Sequence, residues 1–188
     1  MSLSIAIDLD GVTADFSNGW ADLYEQWFDR IVPNKDRRSW TSCFEHTHFT
    51  TPDDFWAWTD EADLWRQLDV IRGAQGGIYR LRQEGHRVFF LTNRHDNARA
   101  ATIDWLRQHF GPRHPELSMT KTKAAVPAAL YVDDSPRVLQ ELVDAGVNNI
   151  VRFVQPWNEP IPGVHDAGSW DQVLDLVRYI DRHESAVG

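Results

Sequence analysis

Short apolar segments recur along the chain and are separated by stretches with helical periodicity. Most of these segments lack a strict alternation of polar and apolar residues, which is typical of strands that are covered on both faces. They therefore predict the strands of a buried sheet. The segments cover residues 3–7, 88–91, 117–119, 130–132 and 150–154.

Helical patterns fill most of the intervals between these strands. The clearest helix start is Ser135, a favourable N-cap residue that is followed by Pro136 at the first helical position. Alternation of strands and helices predicts parallel pairing with right-handed crossovers, and hence a doubly wound (Rossmann-like) α/β sheet. The predicted helices cover residues 77–84, 97–110, 135–145 and 169–182.

A long interval separates the first two predicted strands, well beyond the ~30 residues of an ordinary strand–helix–strand unit. It is mostly helical in pattern and holds six of the nine tryptophans. We interpret residues 16–72 as a helical cap that is inserted into a core domain of residues 1–15 and 73–188. A hinge out of this cap is expected at Gly73, Gly76 and Gly77.

Net charge and composition indicate which partners and which cellular compartment to expect. The formal net charge of −9 would repel nucleic acid and anionic membrane surfaces, so we expect neither as a partner. A single cysteine, Cys43, excludes an internal disulfide. No apolar run approaches the ~20 residues that span a bilayer, and no signal peptide is recognisable. These features predict a soluble, cytoplasmic protein.

Two carboxylates, Asp8 and Asp10, follow the first predicted strand and precede Gly11. Like charges this close raise each other's pKa and are costly to bury without a counter-ion. A divalent cation would offset that cost and leave one carboxylate free for chemistry. The alternative is a turn with local hydrogen bonds.

Polar groups also follow the next three predicted strands. Ligands of open α/β sheets bind at the carboxyl ends of the strands, so these groups are predicted to meet in one site. Taken singly, each group has a structural alternative: a loop cap, a solvated lysine, or a charged helix start. Besides Asp8 and Asp10 after the first strand, the groups are Thr92-Asn93-Arg94, Lys121 and Lys123, and Asp133-Asp134.

The same four groups resemble the motifs of the haloacid dehalogenase-like phosphohydrolase superfamily. The first motif reads Asp8-Leu9-Asp10-Gly11-Val12, and the second reads Phe90-Leu91-Thr92-Asn93. Lys123 matches the third motif and Asp133-Asp134 the fourth, and Lys123 stands ten residues before Asp133. The resemblance covers nearly the whole chain, and the long insertion resembles the helical cap of that superfamily.

This resemblance implies a phosphatase that forms an aspartyl-phosphate. Asp8 would be the nucleophile, and Asp10 would protonate the leaving oxygen and then activate water. Mg²⁺ is the implied cofactor, held by Asp8, the Asp10 carbonyl oxygen and one carboxylate of the Asp133-Asp134 pair. We favour Asp134 as that ligand, with Asp133 orienting a water or Lys123.

Phosphate binding is implied for the second and third motifs. Thr92 and Asn93 would hydrogen-bond phosphate oxygens, and Lys123 would neutralise the phosphate and keep the nucleophile ionised. Lys121 would add a weaker contact. Arg94 could be a second cation or a surface residue.

Within the superfamily, the chain resembles the 5'(3')-deoxyribonucleotidases. The resemblance rests on residues 8–16, 36–40, 120–123 and 155–158. It implies a nucleoside monophosphate substrate whose base lies between Phe16 and Trp40, since bases stack well on aromatic rings. Trp20 and Trp27 lie seven residues apart on one helix face and are assigned to the core.

Alternatives to this substrate remain open from the sequence. One is a phosphatase of another small phosphate ester, such as a sugar phosphate. The other is a non-catalytic nucleotide-binding or regulatory relative. The sequence leaves the oligomeric state open as well, with a homodimer as one option.

Overall fold

A six-stranded, fully parallel sheet forms the centre of the protein in the computed structural model, which describes residues 2–111 and 116–184. The spatial order is β3-β2-β1-β4-β5-β6, which confirms the predicted doubly wound α/β fold. The strands are β1 Ser4–Ile7, β2 Arg87–Thr92, β3 Leu117–Met119, β4 Leu130–Asp133, β5 Ile150–Phe153 and β6 His165–Ala167.

β1 lies at the centre of the sheet and is almost fully buried. Ile5 is paired with Val88 of β2 on one side and with Leu130 of β4 on the other. Both faces of these strands are covered, which explains why their sequences lack alternation. From β1 the chain adds strands first on one side, as β2 and β3, and then on the other, as β4, β5 and β6. Ligands of open α/β sheets bind at such a switch point, here at the carboxyl ends of β1 and its neighbours.

The sixth strand, β6, was not predicted. It is only three residues long and lies at the edge of the sheet, beside β5. Its first two residues are His165 and Asp166, and Asp166 pairs with the Arg152 guanidinium of β5 at 2.6 Å. A polar strand held by a cross-strand ion pair gives no apolar pattern in the sequence.

The helices flank the sheet and form the insertion. The predicted helix over 77–84 begins earlier, at Ala74, so Gly76 and Gly77 lie inside it and do not form a hinge. Gly73 precedes the helix with a φ of +90°. The helices are α1 Phe16–Phe28, α2 Ser42–Glu45, α3 Pro52–Glu61, α4 Leu64–Gln67, α5 Ala74–Gln83, α6 Arg99–Phe110, α7 Pro136–Asp144 and α8 Trp170–Glu184.

The ends of the insertion lie side by side. Asp15 N–H donates to the Asp69 carbonyl oxygen at 2.8 Å, and Ile71 N–H donates to the Thr13 carbonyl oxygen at 2.8 Å. The helices between them are α1 to α4, and α4 packs on α6 of the core. The exact division at residues 15/16 and 72/73 stays a prediction.

An aromatic cluster fills the insertion and explains its tryptophan content. Trp20, Tyr24 and Phe55 are buried, and Trp58 packs edge-on against Tyr24. The assignment of Trp20 to the core is confirmed. That of Trp27 is wrong, because Trp27 is 47% exposed near the C-terminal end of α1.

The described residues contain no helix that combines the length and the apolar character needed to cross a membrane.

Two adjacent glycines of α5 make a matched test of its packing. A Cβ on Gly77 would lie 2.4 Å from Cε3 of the buried Trp170 ring in α8, whereas a Cβ on Gly76 would meet nothing within 4 Å. We expect Gly77→Ala to destabilise the protein by about 1–3 kcal/mol through overpacking. Gly76→Ala should instead be stabilising by up to about 1 kcal/mol. Urea unfolding of both variants measures the difference, and equal effects would contradict this packing.

Candidate active site

Three acidic side chains meet where β1 and β4 end. Asp8 directly follows β1, Asp133 is the last residue of β4, and Asp134 follows it. Adjacent parallel strands bring their carboxyl ends together, so residues far apart in sequence become neighbours. One carboxylate oxygen from each of the three lies within 4.8 Å of the others, and all three residues are buried.

Lys123 supplies the cation inside this acidic triad. It follows β3 in a 3₁₀ turn, Lys123–Ala125, and its side chain is almost completely buried. Its Nζ donates to Asp8 Oδ1 at 2.6 Å and to Asp133 Oδ2 at 2.7 Å. Burial alone would lower the pKa of Lys123, but the carboxylates of Asp133 and Asp8 outweigh burial and raise that pKa above its usual value.

One ammonium does not balance three buried carboxylates. Burial raises the pKa of Asp8 to about 7, opposed by Lys123 and reinforced by Asp133 and Asp10. Burial also raises the pKa of Asp134 well above its usual value, and the neighbouring Asp8 and Asp133 reinforce that rise. Further positive charge would therefore stabilise the ionised cluster.

The geometry around Asp134 fits a cation. Asp134 Oδ1 is buried and accepts no hydrogen bond within the described chain. Gly11 has a φ of +83°, and a Cβ there would lie only 2.1 Å from Asp134 Oδ2, so only glycine leaves room for this carboxylate. Hard oxygen ligands, one of them unpartnered, suit a divalent cation such as Mg²⁺.

Asp10 makes a different set of contacts. Its two carboxylate oxygens accept from Arg94 Nε at 2.8 Å and from Arg94 Nη2 at 2.6 Å. Arg94 also donates to Thr102 Oγ1 at 3.0 Å, and its guanidinium lies 4.6 Å from the Trp65 ring centre. Arg94 is thus buried and paired with Asp10, so the surface alternative for this residue is wrong.

The residues predicted to bind phosphate line the same cavity as Asp8. Thr92 ends β2 and is buried, and its hydroxyl accepts from the Arg94 N–H at 3.2 Å. Lys121 is exposed and donates from Nζ to the Asn93 carbonyl oxygen at 2.6 Å. Asn93 and Lys121 both line the same cavity as Asp8.

A cavity of about 600 Å³ opens above these residues. Phe16 and Trp40 line it as well as a smaller chamber of about 110 Å³ beside Asp134. The structure therefore brings both predicted base-pocket residues to the same cavity as the predicted chemistry. The predicted residues that line the large cavity are Asp8, Asp10, Phe16, Trp40, Thr92, Asn93, Lys121 and Lys123.

The sequence did not predict several further lining residues, among them Trp56, Asp60, Trp65 and His95. Trp65 stacks on Phe16, with ring centres 5.9 Å apart, and Trp56 stacks on Trp65 at 6.1 Å. His95 Nε2 lies 2.9 Å from an oxygen of Asp60, which joins the core to α3. The tryptophan enrichment signalled Trp56 and Trp65, and His95 lies two residues after the second motif, but nothing in the sequence singled out Asp60.

The lysines give a matched test of the buried ion pairs. We expect Lys123→Met to destabilise the metal-free protein by about 3–5 kcal/mol, because it leaves Asp8 and Asp133 buried without a counter-ion. Lys121→Met removes an exposed ammonium and should change stability by less than about 0.5 kcal/mol. Urea unfolding in EDTA compares the two variants. A Lys123→Met protein as stable as Lys121→Met would mean that Lys123 does not stabilise this cluster.

Comparison with known proteins identifies the family of this chain. The sequence model of the family described as "5' nucleotidase, deoxy (Pyrimidine), cytosolic type C protein" matches residues 2–183. A provisionally named 5'(3')-deoxyribonucleotidase of Chlorobaculum tepidum is 30% identical, over 94% of this chain and 91% of its own length. The 5'(3')-deoxyribonucleotidase of Bacillus subtilis is 27% identical, over 84% of this chain and 95% of its own length.

Solved structures agree on the fold. A HAD family hydrolase from Deinococcus radiodurans, solved with bound phosphate and sodium, has a TM-score of 0.62 at 14% identity and covers 95% of this chain and 96% of its own. The family match spans both the core and the insertion. The predicted resemblance to the 5'(3')-deoxyribonucleotidases is thus confirmed, and the protein belongs to the deoxy (pyrimidine), cytosolic type C family of 5'-nucleotidases.

Proposed function

We propose that the protein is a Mg²⁺-dependent 5'(3')-deoxyribonucleotidase that acts through an aspartyl-phosphate on Asp8. The observation that carries this proposal is that Asp8, which lines an aromatic-lined cavity, accepts from Lys123 and belongs to an acidic triad in which Asp134 Oδ1 accepts no hydrogen bond within the described chain. The family match and the names of the relatives support the substrate class.

Asp8 is the nucleophile in this mechanism. Its Oδ2 is the oxygen that does not accept from Lys123, and it attacks phosphorus while the bond from phosphorus to the nucleoside oxygen breaks. Asp10 gives a proton to that leaving oxygen. Asp10 then takes a proton from the water that cleaves the aspartyl-phosphate and releases inorganic phosphate.

Proton transfer by Asp10 requires one of its two hydrogen bonds from Arg94 to break. Both oxygens of Asp10 accept from the Arg94 guanidinium, so one of the two hydrogen bonds must open before Asp10 can carry a proton. The remaining contacts of Arg94, to Thr102 and to the face of Trp65, keep its guanidinium in place meanwhile. Arg94 therefore positions Asp10.

Mg²⁺ would be held by Asp8, the Asp10 carbonyl oxygen and Asp134. When bound, it neutralises charge on the phosphoryl group during transfer. Asp133 is engaged by Lys123 and by the Ser135 N–H, which donates to Asp133 Oδ1 at 2.9 Å. Asp133 thus orients Lys123, and this leaves Asp134 as the metal ligand of the pair.

The phosphate group would lie between the second and third motifs. Lys123 supplies a fixed positive charge, and the Thr92 hydroxyl supplies a hydrogen-bond donor at the end of β2. Asn93 and Lys121 form the outer, more exposed part of this cradle.

The insertion would select the nucleoside. Phe16 already stacks on Trp65 with one face, and Trp40 is half-exposed at the border of both cavities. In this proposal a flat base would lie between Phe16 and Trp40, whereas a sugar phosphate would leave these apolar rings in contact with water. We propose residues 16–72 as the cap that carries this selectivity.

A panel of phosphate esters tests the proposed function. With Mg²⁺, we expect hydrolysis of deoxyribonucleoside 5'- and 3'-monophosphates at higher kcat/KM than ribonucleotides or sugar phosphates. Asp8→Asn should lower kcat by about 10⁴-fold or more, because the nucleophile is lost. Asp171→Asn, at a side chain that is 90% exposed on α8, is the matched control and should keep full activity.

Each other result of this panel has a clear meaning. Preferential hydrolysis of sugar phosphates would overturn the substrate class, and no turnover of any ester would support a non-catalytic relative. An active Asp8→Asn protein would remove Asp8 as the nucleophile.

Two half-exposed tryptophans test the base pocket. Trp40→Ala should lower kcat/KM for deoxyribonucleotides roughly 5- to 150-fold, which corresponds to about 1–3 kcal/mol of lost base stacking. Hydrolysis of deoxyribose 5-phosphate, which has no base, should change little. Trp27→Ala is the control, because Trp27 is equally exposed but does not line the large cavity. Equal losses on both substrates would rule out base stacking on Trp40.

A further inference from the structure

The carboxylate of Asp134 has two oxygens in different surroundings. Oδ1 is buried and accepts no hydrogen bond from the described residues. Oδ2 lies over Gly11 and accepts from Trp157 Nε1 at 2.8 Å. A carboxylate with one oxygen held and the other left unpartnered is oriented for a ligand on the unpartnered side.

Trp157 belongs to a loop that follows β5, and hydrogen bonds of the neighbouring Asn158 hold this loop to the core. Asn158 is buried, and its Nδ2 donates to the Asp134 carbonyl oxygen at 2.7 Å and to the Phe153 carbonyl oxygen at 2.9 Å. Asn158 Oδ1 accepts from Arg152 Nη1 at 2.9 Å. The loop therefore has little freedom to carry Trp157 away from Asp134.

The same loop is also hydrogen-bonded to the first motif. Gln155 Nε2 donates to the Gly11 carbonyl oxygen at 2.6 Å, and Gln155 N–H donates to Asn158 Oδ1 at 3.1 Å. Gly11 is the residue that makes room for the Asp134 carboxylate. One loop thus contacts the first motif and the fourth motif together.

We propose that Trp157 is a positioning residue for the metal site: its indole N–H fixes Asp134 so that Oδ1 faces the cation. This inference rests on the proposed function, because it takes Asp134 as the Mg²⁺ ligand. Partners that orient metal ligands in this way commonly change metal affinity by 10–100-fold when they are removed. Trp157 does not line the large cavity, and it would act on the metal through Asp134.

Packing alone would explain the ring of Trp157 but not its hydrogen bond. The ring lines the small chamber shared with Phe16, Trp40 and Trp56, so part of its role is to close that chamber. Phenylalanine keeps an aromatic ring there and removes only the N–H donor and some volume. The two roles are therefore separable by experiment.

The test is a titration of Trp157→Phe with Mg²⁺ by isothermal calorimetry, without nucleotide. We expect the Mg²⁺ Kd to rise about 10-fold or more. In activity assays, the Mg²⁺ concentration for half-maximal rate should rise in parallel, while the nucleotide KM at saturating Mg²⁺ stays the same. Trp27→Phe makes the same chemical change at an exposed site away from the cavity and should leave the Kd unchanged.

Asp134→Asn separates this inference from the proposed function. If Asp134→Asn abolishes Mg²⁺ binding while Trp157→Phe leaves the Kd within about twofold of wild type, the role of Trp157 is overturned and the metal site stands. If Asp134→Asn leaves the Kd unchanged, the metal assignment and the role of Trp157 both fail.

A measurement on the unaltered protein covers the case in which Trp157→Phe does not fold. In ¹⁵N-labelled protein with assigned indole resonances, we expect the Trp157 Nε1–H signal to shift along the Mg²⁺ binding curve. The Trp27 signal should not move. An unshifted Trp157 signal at saturating Mg²⁺ would overturn the proposal.

Discussion

The buried contact between Lys123 and two carboxylates is the interaction on which the site depends. Asp8, Asp133 and Asp134 lie where β1 and β4 end, and Lys123 is the one ammonium that reaches them among the described residues. Three carboxylates against one cation leave an excess of negative charge in a buried place, and burial raises the pKa of Asp8 and of Asp134 accordingly. Further positive charge would therefore stabilise the ionised cluster.

A second ion pair connects this centre to the insertion. Arg94 holds Asp10 through both oxygens and lies against the face of Trp65 in α4. Trp65 in turn stacks on Phe16, which lines the large cavity. The residue proposed to move protons and the rings proposed to bind the base are thus in one continuous set of contacts. Such contacts are a physical route by which the bound nucleoside could affect the geometry at Asp10.

The support of the site comes from residues that are distant in sequence. The loop of Gln155, Trp157 and Asn158 follows β5, yet it contacts Gly11 after β1 and Asp134 after β4. Rigid strands and a loop with satisfied hydrogen bonds hold the carboxylates more firmly than the first and fourth motifs could by themselves. The edge strand β6 contributes through Asp166, which pairs with Arg152, and Arg152 in turn holds Asn158.

The sequence by itself determined the parallel α/β fold, the family and the position of the four motifs, because apolar strands and short motifs at their ends are local patterns. It could not reveal β6, whose polar residues give no strand signal, nor the exposure of Trp27, because a tryptophan seven residues from a buried one has the same helical spacing in either case. Only the tertiary structure decided that Arg94 pairs with Asp10, that Asp60 meets His95 and that Trp157 reaches Asp134. These contacts join residues 23 to 84 positions apart, and such distances are closed by the packing of strands and loops rather than by any local pattern.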